Sequence, residues 1–181
     1  FDDAMADIRC ALEFKPPHLS WYQLTIEPNT VFAKHRPTLP DDERLWQIEQ
    51  EGLALLQAAG YQRYEISAYS QPGHSCRHNI NYWQFGDYLG IGAGAHSKLT
   101  IGEQQGIIRM AKISHPASYM NAVDKAETEY NPFVAQQHEV TKEELPVEFM
   151  MNVLRLTAGA PTHYFAERTH LSIDVIDKSI K

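Results

Sequence analysis

The residues best equipped for chemistry lie together in GHSCRHNINYW, positions 73 to 83. His74, Cys76 and His78 alternate, so an extended segment would project all three to one side, and His96 could complete a four-ligand set. Imidazole and thiolate suit zinc, although HxCxH is not a common paired-ligand spacing and hydrogen-bonded loop histidines use the same residues. Iron in haem is a second use of the same atoms. His78 would be the axial metal ligand, Tyr82 and Trp83 would offer flat apolar surface to the macrocycle, and Asn79 would orient the imidazole or bond a propionate. The structural alternative is that Tyr82 and Trp83 simply pack in a core with Phe85. Residue type alone leaves the three open.

Other chemistry is thinly represented. The sequence contains no GxSxG elbow, P-loop or HExxH, and Glu27 and Glu65 cannot be promoted to an acid/base pair without geometry. GIGAG, from Gly90 to Gly94, permits close approach of backbone to a ligand or to a neighbouring strand. It lacks the long helix and the acidic residue that a dinucleotide fingerprint requires.

These residues need elements to hold them. FDDAMADIRCAL enters a helical pattern through Met5, Ile8 and Leu12, and HLSWYQL after Pro16-Pro17 is short enough for a strand. Asp41 and Asp42 can cap a helix carrying Leu45, Ile48, Leu55, Leu56 and Ala59, with Gly60 as its stop. YQRYEISAY then reads as a strand with Tyr64, Ile66 and Ala68 on one face. Strand, helix and strand make a βαβ unit with a parallel, right-handed crossover, whose ligand end holds TIEPNT and the HNINYW loop. LTIGEQQGIIRM is expected to form a hairpin turned near Gly102 to Gly106. YNPFVAQQHEVTKEELP reads as a linker. PASYMNAV, ELPVEFMMNVLRLT, THYFAERTHL and SIDVIDKSIK are expected helices, with Val147, Met150, Val153 and Leu154 as a core stripe.

Composition sets outer bounds. The 181 residues are 43% apolar and carry a formal charge of -7, a balance that fits a globular protein and argues against nucleic acid as partner. No apolar run approaches the roughly 18 residues of a membrane span. Cys10 and Cys76, the two cysteines, are expected to be reduced thiols in a cytoplasmic protein. Both ends lie inside helical patterns, as expected for a piece of a longer protein.

HLSWYQLTIEPNT, GYQRYEISAYSQPGHSCRHNINYW and GDYLGIGAGAHS closely resemble, in order and separation, the HemN/HemW family of radical SAM proteins, the oxygen-independent coproporphyrinogen III oxidases and their relatives. The likeness covers nearly the whole chain. HNINYW fits the HNxxYW pattern of the family's haem-chaperone branch, so the resemblance makes His78 the expected haem ligand, with Asn79, Tyr82 and Trp83 around it. Thr25 and His96 match family positions that line the S-adenosylmethionine site, mainly through backbone groups. Family members begin with CxxxCxxC, whose thiolates hold a [4Fe-4S] cluster. This chain has no such motif, and two cysteines cannot supply three ligands.

The implied fold is α/β, with the C-terminal half of a radical SAM partial (β/α) barrel over residues 1–115 and a truncated α-helical HemN C-terminal domain over 116–181. The implied function is a chaperone that binds haem and passes it to an apo-haemoprotein. The alternative is oxidative decarboxylation of coproporphyrinogen III, which only an intact chain could perform. A half-barrel would also expose a strand edge, through which self-association is expected.

Overall fold

The computed structural model describes residues 1–102, 106–125 and 131–179, and the chain divides into two compact units, Phe1–Cys76 and Arg77–Lys181.

The first unit opens with α1 (Asp2–Glu13), whose Met5 and Ile8 are buried as their three-residue spacing predicts. β1 (His18–Ser20) and the short α2 (Val31–Lys34) lead to α3 (Asp42–Ala58). Asp41 caps α3 by accepting from the Arg44 amide at 2.8 Å, a contact type worth about 1 kcal/mol, and Gly60 follows the helix at a φ of +87°. α1 and α3 close over a core of Met5, Ile8, Leu56, Tyr61 and Tyr69.

The strands depart from the expected parallel crossover. YQRYEISAY is not one strand but two, β2 (Gln62–Glu65) and β3 (Ala68–Ser70), joined by a turn at Ile66 and Ser67. β3 pairs antiparallel with both β2 and β1, in the order β1-β3-β2. The turn has no glycine or proline to announce it. Its carbonyls are held instead by Arg63, which donates from Nη2 to the Ile66 oxygen at 2.6 Å and pairs with Glu49 at 3.1 Å. HLSWYQL is likewise a strand only as far as Ser20, so Thr25 does not end a strand.

The second unit begins with α4 (Arg77–Trp83), which makes HNINYW a helix and not the loop expected. β4 (His96–Ile101) and β5 (Gly106–Lys112) pair antiparallel from His96–Ala111 to Ile101–Gly106, as the hairpin expectation required; turn residues 103–105 lie outside the described residues. α5 (Pro116–Asn121) runs into a 3₁₀ turn. The expected linker contains β6 (Val134–Val140), which adds antiparallel to the free side of β5; residue 130 of that segment is not among the described residues.

α6 (Leu145–Val153), α7 (His163–Thr169) and α8 (Asp174–Ser179) complete the unit. Phe85, Ile107, Val140, Leu145, Phe149, Val153 and Phe165 form its core. The expected stripe on α6 is therefore divided. Val153 is buried and Met150 packs on the core, whereas Val147 and Leu154 are 58% and 70% exposed.

Candidate functional site

α4 is terminated by its own sequence. Phe85 takes a left-handed φ of +61°, its amide donates to the Tyr82 oxygen at 3.1 Å, and the Gly86 amide donates to the Asn81 oxygen at 2.8 Å. These two bonds are those of a Schellman motif with phenylalanine where glycine is usual, a conformation costing roughly 1 to 2 kcal/mol in an L-residue. Burial of the Phe85 ring, 1% exposed and edge-on to Phe149 at 5.6 Å, offsets that cost. Asn81 adds a bond from its side-chain nitrogen to the Asp87 oxygen at 2.9 Å. The end of the helix is thereby fixed to the core.

What the helix presents follows from its pitch. His78 and Tyr82 are four residues apart, as are Asn79 and Trp83, so each pair shares a side of α4. His78 is exposed, and Asn79, Tyr82 and Trp83 are half-buried. Tyr82 stands edge-on to Trp83, ring centroids 4.7 Å apart, and leans on Tyr88 at 4.9 Å. The two motif aromatics thus form a surface cluster of their own, while Phe85 alone enters the core.

Side chains distant in sequence support this cluster. Arg109 on β5 donates to the Tyr88 hydroxyl at 3.3 Å and to Glu148 of α6 from Nε at 2.8 Å and from Nη2. Burial, followed by the neighbouring Tyr82, pushes the Tyr88 phenol up to about 12. The Arg155 guanidinium lies 4.3 Å from the centre of the Trp83 ring, within cation–π range, and its Nε is shielded from solvent. Trp83 Nε1 is buried without a hydrogen-bond acceptor among the described residues. Tyr88, Arg109, Glu148 and Arg155 carry no motif signal. Sequence reasoning missed them because only the fold brings them to α4.

The remaining expected site residues lie on other segments of the chain. Thr25 is exposed in an irregular segment of the first unit, and His96 is exposed at the start of β4. Gly90 of the glycine run meets protein, since a Cβ there would lie 2.1 Å from the His96 carbonyl oxygen. The alternation that would align His74, Cys76 and His78 is lost where α4 begins at Arg77, and among the described residues no group of three or more His, Cys, Asp or Glu could hold a metal ion. The zinc expectation is therefore withdrawn. Cys10 and Cys76 are free thiols, too few for a [4Fe-4S] cluster, so the chain's residues do not fit that group. A cavity of about 280 Å³ in the first unit, walled by Trp21, Tyr22, Leu24, Ile48 and Tyr69, involves none of the expected residues. Among the described residues no helix is long and apolar enough to cross a membrane.

No protein-family model matches the chain. Over 175 residues it is 49% identical to the heme chaperone HemW of Escherichia coli K12, a match covering 97% of this chain and 44% of that protein. The chain is a HemW homologue. The HemW of Haemophilus influenzae is 46% identical over 179 residues, and that of Bacillus subtilis 33% over 177, covering 99% and 96% of this chain. The chain spans 44% of the length of each of these HemW relatives. Among solved structures it superposes on HemN of Escherichia coli, described as a coproporphyrinogen III oxidase and radical SAM enzyme, with a TM-score of 0.66 and 17% identity. That match covers 96% of this chain and 41% of HemN. The likeness to HemN is one of fold: the chain has the mixed α/β architecture of the part of HemN that it matches.

Proposed function

We propose that this chain carries the haem-holding helix of a HemW-type chaperone, with His78 as the iron ligand and haem as cargo for an apo-haemoprotein. The observation that carries the proposal is the form of α4. It exposes an imidazole and places Tyr82 one turn further along the same side, with the aromatic cluster anchored from behind by Phe85. An exposed imidazole is an available ligand, half-buried aromatic rings offer apolar surface for a macrocycle, and Asn79 lies one residue along to orient either. Identity to several proteins named as heme chaperones supports the same reading.

The proposal takes no cluster ligand from this chain. S-adenosylmethionine and a [4Fe-4S] cluster are proposed for the whole protein only, with Thr25 and His96 as separate backbone contacts to the former. The division into a barrel part over 1–115 and a helical part over 116–181 is likewise proposed for the whole protein. We place the function in the cytoplasm, the compartment favoured by two thiols that form no disulfide. Coproporphyrinogen oxidation is not preferred, because the likeness to HemN extends to fold alone.

The test is an anaerobic haem titration of the intact protein, followed through the Soret band, with wild type beside His78→Ala. Saturable binding whose band position and affinity depend on His78 is expected. A variant that keeps both would remove His78 from the site.

A further inference from the structure

The HemW-type reading gives the Tyr82 ring to the macrocycle but leaves its hydroxyl without a use. We infer that Tyr88 is a positioning residue that turns the Tyr82 hydroxyl proton towards the cargo, where it recognises a porphyrin carboxylate. This rests on the reading above that haem is held at His78 on α4.

The chain of contacts starts at Glu148, whose carboxylate accepts from Arg109 Nε at 2.8 Å and from Nη2. This two-point hold fixes the guanidinium plane and leaves Nη1 to donate to the Tyr88 hydroxyl at 3.3 Å. Arginine has donors and no acceptor, so the Tyr88 oxygen can only accept from it. Tyr88 is also hydrogen-bonded to Tyr82, with the ring centroids 4.9 Å apart. Because its oxygen already serves Arg109, Tyr88 uses its own proton for the Tyr82 oxygen. The Tyr88 phenol, pushed up to about 12 by burial and then by Tyr82, retains its proton as a donor in that bond must. The Tyr82 oxygen is thus occupied on its Tyr88 side. Its own O–H turns the other way, where no acceptor meets it among the described residues.

Place on the helix decides what that O–H can meet. Tyr82 lies four residues beyond His78, about 40° around α4 and about 6 Å along it. Both therefore stand on one side, His78 exposed and Tyr82 half-buried. A cargo ligated at His78 covers that side. With its ring nitrogens bound to iron, haem offers hydrogen-bond acceptors through its carboxylates alone. A phenol donating to a carboxylate makes a bond roughly twice as strong as one to a neutral oxygen, so a donor held in this direction favours the free acid over its ester.

The experiment compares haem with haem dimethyl ester, which keeps iron and ring but loses both negative charges. It uses intact wild type, Tyr82→Phe, Tyr88→Phe, the double variant and His78→Ala. Wild type should prefer haem to its diester. Tyr82→Phe removes the hydroxyl and keeps the ring, so haem should weaken by about tenfold while the diester changes little. Tyr88→Phe leaves the Tyr82 hydroxyl in place but free to turn, so the preference should fall by about threefold. Because Tyr88 acts through Tyr82, the double variant should be no weaker than Tyr82→Phe alone. His78→Ala should alter the Soret band with both ligands.

A wild type indifferent to esterification, or an undiminished preference in either Phe variant, overturns this inference and leaves the chaperone reading standing. Equal loss of both ligands in folded Tyr88→Phe does the same, as does a double variant weakened by the full sum of the single effects, since each makes Tyr88 merely structural. Should Tyr88→Phe not fold, Arg109→Lys takes its place, because an ammonium that keeps Glu148 has no planar fork to hold Tyr88 as well. An undiminished preference there overturns the inference. Wild type that binds neither ligand overturns the chaperone reading and this inference together.

Discussion

Lys98 is 2% exposed, yet its Nζ donates to Asp87 Oδ1 at 2.9 Å and lies 4.4 Å from the centre of the Phe85 ring. A fully enclosed ammonium thus meets a carboxylate and an aromatic face immediately after the helix that carries HNINYW. Asp87 is 41% exposed and also accepts from the Thr100 amide and hydroxyl. The two partners are therefore not equivalent. Burial lowers the Lys98 ionisation despite the carboxylate, whereas Asp87 is held below its usual range because bonds from Lys98 and Thr100 outweigh its own partial burial.

This asymmetry predicts unequal mutants. Asp87→Ala leaves a buried ammonium unbalanced and should cost about 3 kcal/mol, whereas Lys98→Met replaces the buried charge by a flexible apolar chain and should stay within about 1 kcal/mol of wild type. Urea midpoints at constant slope would measure both. A Met variant as weakened as the Ala variant would contradict the account.

The same pair predicts acid sensitivity. Asp87 has a folded-state ionisation lowered from 3.8, so its stabilisation is present above that value and is lost as pH falls through the lower, folded value. Asp87→Asn should flatten the acid limb of stability against pH. An acid limb identical to wild type would exclude Asp87 as its source.

Tyr88 acts at the opposite end of the scale. Its phenol is raised from 10.0 to about 12, first by burial and then by Tyr82, so the unfolded chain releases this proton before the folded one does. Stability from this group is complete below 10 and declines as pH rises towards about 12. Tyr88→Phe should remove that alkaline decline, and phenolate absorbance in the native protein should lose one late-titrating group.

Gly90 predicts a steric effect. Residues 88 to 90 run beside 96 to 98, with Tyr88 and Lys98 exchanging backbone bonds at 2.9 and 3.1 Å. An alanine at position 90 would place Cβ 2.1 Å from the His96 carbonyl oxygen, where neither side can rotate away. Gly90→Ala should cost about 2 to 3 kcal/mol by forcing the two segments apart. A neutral substitution would show that they separate freely.

The sequence was most legible where one signal repeats or one residue acts alone. Met5 and Ile8 marked the buried side of α1, Asp41 marked the start of α3, and the glycines at 102 and 106 marked the β4–β5 hairpin. Strand direction was not legible, because alternation is the same in parallel and antiparallel pairing and the turn at Ile66 and Ser67 is held by a distant Arg63 guanidinium. β6 was read as a linker because an edge strand with Gln136, Gln137, His138 and Glu139 all exposed shows no alternation. Of the candidate site, the motif residues alone were legible. His78, Tyr82 and Trp83 announce themselves by type, whereas Tyr88, Arg109 and Arg155 acquire their meaning from contacts that folding creates.

β5 is hydrogen-bonded along both sides, to β4 and to β6. Its amides can exchange with solvent only when a whole flank of the sheet opens, whereas α4 is seven residues long and held chiefly at its end. Arg109, which steadies Tyr88 behind the motif, is mounted on that doubly paired strand. The helix can therefore loosen and re-form against a support that stays closed, without costing the unit its fold.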